Sequence, residues 1–242
     1  MKRKKNHRIY AWTGSFVVAT LIIFLVFILP GILIPPLPEE NITSDTPAEE
    51  FFLQPGDILV RPNWNWLPGT SRVVSGRNFG HLAIVVQGAA GATVGEILQK
   101  AVVIEALLFD QATRKFIFGS PDIVRQTAAS TSFGERFRGR RYLLRMALTG
   151  QEQEWLLKFL TDQLKDDRYT ALSFRKYFRE APGTKDAWIR ADHDRWNCAT
   201  LAWYAFIYAT GRDIDANGGI LVYPNDIIRS KHFDLPGKRI RF

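Results

Sequence analysis

Gly80-His81-Leu82-Ala83-Ile84-Val85-Val86 is a short run rich in β-branched residues, and it reads as a strand that opens on a glycine and a histidine. Similar runs flank it. Asp57-Ile58-Leu59-Val60 precedes it after a Pro-Gly turn, and Ala101-Val102-Val103-Ile104-Glu105-Ala106 follows it, with Glu105 as its only charge. Shorter candidates lie at Ile123 to Gln126 and Arg141 to Met146. No long helical pattern separates these four or five strands, so they predict an antiparallel sheet rather than parallel βαβ units.

The later part of the chain changes period. Thr149-Gly150-Gln151-Glu152 has capping-box spacing, and Trp155, Leu156, Phe159, Leu160 and Leu164 then share one helical face. A second helix is predicted from about Cys198 to Tyr208, carried by Leu201, Ala202, Ala205, Phe206 and Ala209, with Gly211 as its stop. Strands followed by helices give an α+β domain: an antiparallel sheet packed against helices.

With 242 residues, the chain fits one such domain plus an appendage. Its 46% hydrophobic and 23% charged residues exclude both a disordered chain and a multi-span membrane protein. Much of the +8 formal charge comes from Lys2, Arg3, Lys4, Lys5 and Arg8, so the basicity marks one end and predicts no nucleic-acid partner.

From Ile9 to Pro38 no side chain is charged, and the proline-free part from Ala11 to Leu29 would match a hydrocarbon core of about 30 Å as a helix. No small-x-small cleavage site follows, as a removed signal peptide would require. The sequence therefore predicts a basic cytoplasmic head (1–8), a single transmembrane anchor (9–34), a tether (35–50) and a folded domain (51–242). With the positive charges on the N-terminal flank, this is a single-pass protein whose N-terminus is cytoplasmic and whose domain lies outside. The membrane is then a partner through the N-terminal helix.

Cys198 is the only cysteine, and a lone thiol is either a small buried hydrophobe or a nucleophile. Its place at a helix start, with Asn197 as cap, favours the thiolate through the helix dipole. The expectation is a low thiol pKa, provided an imidazolium lies within about 4–6 Å.

Of the four histidines, His7 lies in the head, His193 among charged residues, and His232 beside Lys231. His81 opens an apolar strand, where an imidazole at the sheet end would serve as a base. Glu105, inside an apolar run on the next strand, would be the carboxylate that orients it.

Four segments, Pro55-Gly56-Asp57-Ile58-Leu59, Gly80 to Val86, Val103-Ile104-Glu105-Ala106 and Asn197-Cys198-Ala199-Thr200-Leu201, resemble in that order the circularly permuted branch of the NlpC/P60 papain-like hydrolases, the YiiX- and YebB-like group. The resemblance runs from about Pro55 to Phe233. It implies a papain-like fold and a cysteine hydrolase, with Cys198 as nucleophile, His81 as general base and Glu105 as the orienting third member. Neither cofactor nor metal is required.

Two departures stand out. Relatives carry a Tyr-Asp pair before the cysteine helix, whereas Thr170 follows Tyr169 here, so Tyr169 either lends a hydroxyl to the oxyanion site or packs. Asn197 stands where relatives often have an aromatic residue.

Trp64 and Trp66, in the loop ahead of His81, are either hydrophobic cover or a substrate-side wall. For an exported amidase the implied substrate is a cell-wall peptide, with peptidoglycan as partner. The same branch resembles lipid-acting acyl enzymes related to lecithin:retinol acyltransferase, which leaves an acyl-bearing lipid open. Two rival readings are a metal site at Asp192, His193, Asp194 and Cys198, which matches no usual zinc spacing, and a non-catalytic wall-binding module with an inert cysteine.

Overall fold

A computed structural model describes residues 15–22, 51–62, 79–107, 109–110, 115–116, 123–165, 196–216, 218, 222–234 and 238–242. The chain divides into two units, residues 1–36 with 64–78, and residues 37–63 with 79–242.

In the first unit the described residues are the helix 15–22, on which Phe16, Val17, Val18, Leu21 and Ile22 are exposed. Among the described residues no helix is long and apolar enough to cross a membrane. This overturns the transmembrane helix expected over 9–34, and with it the single-pass localisation. A charge-free run supplies apolarity, but a span also needs an unbroken helix of about 20 residues. The helix described over 15–22 is about 12 Å long at 1.5 Å per residue. The basic head and the tether lie outside the described residues.

The second unit is α+β, as expected. Its strands are β1 (Ile58–Pro62), β2 (Phe79–Gln87), β3 (Val102–Ala106), β4 (Phe109–Asp110), β5 (Lys115–Phe116), β6 (Val124–Ala128), β7 (Tyr142–Arg145) and β8 (Lys238–Arg241). Its helices are α1 (Val94–Lys100), α2 (Ala129–Phe133), α3 (Gly150–Asp162), α4 (Cys198–Thr210) and α5 (Pro224–Ile228). Six strands form one sheet in the order β6-β3-β2-β1-β7-β8, and every pairing is antiparallel. Strands β4 and β5 form a separate hairpin.

Alternation along the strands gives the sheet two buried faces. Leu59, Ala83, Val85, Val103 and Leu143 pack with Ile97 and Leu98 of α1 and with Ala129 and Phe133 of α2. On the other face, Ile58, Val60, Leu82, Ile84, Ile104 and Leu144 meet α3, α4 and α5.

The two long helices follow the sequence reading. Helix α3 carries the Thr149–Glu152 capping box. Helix α4 ends at Gly211, whose φ of 69° closes the helix with an N–H bond to Ile207 O, a conformation that suits a residue without a Cβ. Arg145 on β7 grips Asp57 through Nε and Nη2 at 2.8 and 2.7 Å, tying the Pro55-Gly56-Asp57 turn to the strand beside β1.

Candidate active site

The hydrogen-bond pattern of β2 creates the site. Val85 donates to Asp57 O at 2.8 Å and accepts from Gly56 N–H at 2.9 Å, so residue 85 faces the β1 side. By alternation Leu82 and Ile84 turn their N–H groups towards β3. The register of β2 against β3 runs from Gln87–Val102 to Ile84–Ile104. Beyond that point the Leu82 N–H points to the Cys198 sulfur, which also receives the N–H of Ala199. The start of α4 therefore meets the sheet where β3 leaves β2.

Asn197 holds that helix start. Its Oδ1 accepts the Thr200 N–H at 3.0 Å, while its own N–H donates to Thr200 Oγ1 at 3.2 Å. The cap is buried, so no water replaces it. Asn197→Ala is expected to cost about 1–2 kcal/mol, read as a lower urea midpoint. A loss below about 0.3 kcal/mol would show that the cap does not hold the helix start.

His81 and Glu105 meet directly. His81 Nε2 lies 2.7 Å from Glu105 Oε2, and both side chains are buried, at 4% and 0% exposure. Glu105 Oε1 accepts from Arg125 Nε at 3.0 Å and from Ser132 Oγ at 2.8 Å. The His81 ring stacks on Phe133, with centroids 5.7 Å apart. Burial works against the Glu105 carboxylate, but the His81 bond, the Arg125 charge and the Ser132 hydroxyl outweigh it and hold its pKa below the usual range. An ionised carboxylate only accepts, so its partner Nε2 carries the proton and Nδ1 of a neutral His81 keeps its lone pair.

The thiol differs from the sequence expectation. Cys198 is 8% exposed, and burial pushes its pKa up despite the two backbone N–H groups and the nearby Arg61 charge. Burial, then Arg61, also push His81 down against the pull of Glu105. At rest both the thiol and the imidazole are therefore neutral, not the thiolate–imidazolium pair of the sequence expectation. The sulfur's bonds go to the backbone N–H groups of Leu82 and Ala199, with none to the His81 ring. Such contacts often form only when substrate arrives.

Three contributors escape the sequence reading: Arg61, Arg125 and Ser132. Arg61 follows the apolar run Ile58 to Val60, and that break in the pattern is the available signal. Arg125 and Ser132 reach Glu105 only through the β3–β6 register and the turn into α2. Tyr169, Trp64 and Trp66 lie outside the described residues, as do Asp192, His193 and Asp194 of the rival metal reading. Among the described residues no group of three or more His, Cys, Asp or Glu side chains is placed to hold a metal.

No family model matches the chain. A 36-residue stretch is 53% identical to the uncharacterized protein YycO of Bacillus subtilis (strain 168), a match that spans 15% of this chain and 15% of that protein. The crystal structure of the metalloprotein YiiX of Escherichia coli O157:H7 (DUF1105) aligns with a TM-score of 0.44 at 15% identity, over 74% of this chain and 93% of that one. Neither likeness establishes membership of the NlpC/P60 branch or assigns an activity to this chain.

Proposed function

We propose that the chain is a thiol hydrolase of the permuted papain-like kind, acting on an amide or ester through Cys198, His81 and Glu105. The observation that carries this reading is the buried Glu105–His81 pair: among the described residues its Nδ1 is unbonded, and it belongs to the residue next to Leu82, whose N–H points to the chain's one thiol.

In this reaction His81 Nδ1 takes the thiol proton as sulfur attacks the carbonyl carbon. Backbone N–H groups at the start of α4 stabilise the oxyanion. The imidazolium then protonates the departing amine or alkoxide as the C–N or C–O bond breaks, leaving a thioester. Water, deprotonated by His81, releases the acid and restores the thiol. Arg125 and Ser132 keep Glu105 ionised and fixed, so the ring retains the tautomer this sequence of steps needs. The wall-peptide expectation leaned on the anchor, and without it the substrate is defined by its bond type alone.

Alkylation by iodoacetamide against pH tests the proposal. Cys198 in the folded domain is expected to react at a rate that still rises beyond pH 9, because burial lifts the thiol above its ordinary 9.0. His81→Ala should slow the reaction below that pH by about 10²-fold. A thiol that stays unreactive until the domain unfolds, and is indifferent to His81, would favour the non-catalytic module instead.

A further inference from the structure

Arg61 lies on β1, the strand next to the one that carries His81. The β1–β2 register sets it directly opposite His81, on the same face of the sheet. Its side chain is 3% exposed. Nη1 donates to Pro62 O at 3.1 Å, and the guanidinium lies 4.6 Å from the centre of the Phe137 ring. Among the described residues the buried Nε has no hydrogen-bond partner.

Among the described residues the charges that act on it do not balance. Glu105 and Cys198 lie close enough to act on Arg61, and so does the cationic Arg136. Glu105 already serves His81, Arg125 and Ser132, and the thiol is neutral at rest. Burial pushes the Arg61 pKa down to about 10, so it remains charged at neutral pH. A buried cation with a spare donor is costly unless an anion joins it. A planar guanidinium fork matches carboxylate and phosphate alike, and of the two the carboxylate is the group that an acyl substrate carries.

Building on the thiol-hydrolase reading, we infer that Arg61 binds a carboxylate on the acyl portion of the substrate. The enzyme's substrates are then amides or esters of dicarboxylic acids rather than of neutral fatty acids. Arg61 is a specificity determinant: it selects the acyl group by charge, while Cys198 and His81 break the bond.

The test has two arms, both on the full chain. In the first, Cys198→Ala is titrated with monomethyl succinate, dimethyl succinate and inorganic phosphate. The monoanion is expected to bind, the neutral diester and phosphate at least 10-fold more weakly, and Arg61→Met added to Cys198→Ala should remove the difference. In the second, wild type is compared on p-nitrophenyl hemisuccinate and p-nitrophenyl butyrate. The charged ester should be preferred about 10²-fold in kcat/KM, a ratio that falls towards one in Arg61→Met. If Arg61→Met does not fold, Arg61→Lys, which keeps the charge without the fork, should lower the ratio about 10-fold. A ratio unmoved by either substitution, with both esters slowed alike, would overturn the inference and assign Arg61 to the thiolate or oxyanion. Carboxylate binding that depends on Arg61, without turnover of any ester, would uphold the carboxylate site and sink the hydrolase reading.

Discussion

Replacing Cys198 by alanine is expected to lower turnover of an acyl substrate by about 10³-fold or more while the domain stays folded. The side chain's packing is replaceable, since alanine keeps the Cβ among the same neighbours of α4 and β2. Its sulfur is not, because the chain contains no second thiol. His81→Ala should fall equally far, and the double variant should fall little further, since nucleophile and base act as one unit. Glu105→Gln should lose less, because an amide still holds the ring. Full activity in Cys198→Ala would refute the thiol mechanism at once. Additive losses in the double variant would mean that His81 acts elsewhere.

Glu105→Ala is the second large effect, and it concerns stability. One carboxylate serves three donors, His81 Nε2, Arg125 Nε and Ser132 Oγ, at zero exposure. Its removal strips the buried His81 imidazole and the half-buried Arg125 guanidinium of their shared acceptor. A cost of about 3–5 kcal/mol is the scale for breaking a buried pair on one side. Chemical denaturation followed by circular dichroism measures it. Glu105→Gln should cost less, because the amide oxygen still accepts one bond. A loss under about 1 kcal/mol in Glu105→Ala would mean that the donors find other partners in the folded state.

Several elements are legible in the sequence alone, and the reason is local. Residues 57–60, 81–86 and 101–106 announce strands through β-branched runs, and Thr149–Glu152 and Gly211 mark helix ends through cap chemistry that depends on neighbours in sequence. Strand β8, Lys-Arg-Ile-Arg, escapes such a reading because its basic residues resemble a solvated tail and only the long-range pairing with β7 makes it a strand. Helix α1 escapes it because seven residues are too few to show a period, although Thr93 caps it. Glu105 stands out by its apolar surroundings, yet its partners Arg125 and Ser132 are set by register and a turn. The thiol pKa expectation fails because a helix dipole can be read from sequence and the depth of burial cannot. The anchor fails for a related reason: hydropathy alone does not establish a continuous helix.

The position of β1 has a consequence for how the chain reaches its native state. The strand lies between β2, its near neighbour in sequence, and β7, which pairs with it through Ile58–Leu144, Leu59–Leu143 and Val60–Tyr142. As a nascent chain emerges, β1 and β2 can form a ribbon early, but the other side of β1 stays open until β7 has been synthesised and docks. Through that interval Ile58, Leu59 and Val60 present an apolar edge able to pair with another chain. The distant pairing also raises the contact order, which places folding towards the millisecond-to-second range. Low temperature and dilution should therefore improve the yield of refolding more than any change that strengthens the finished sheet.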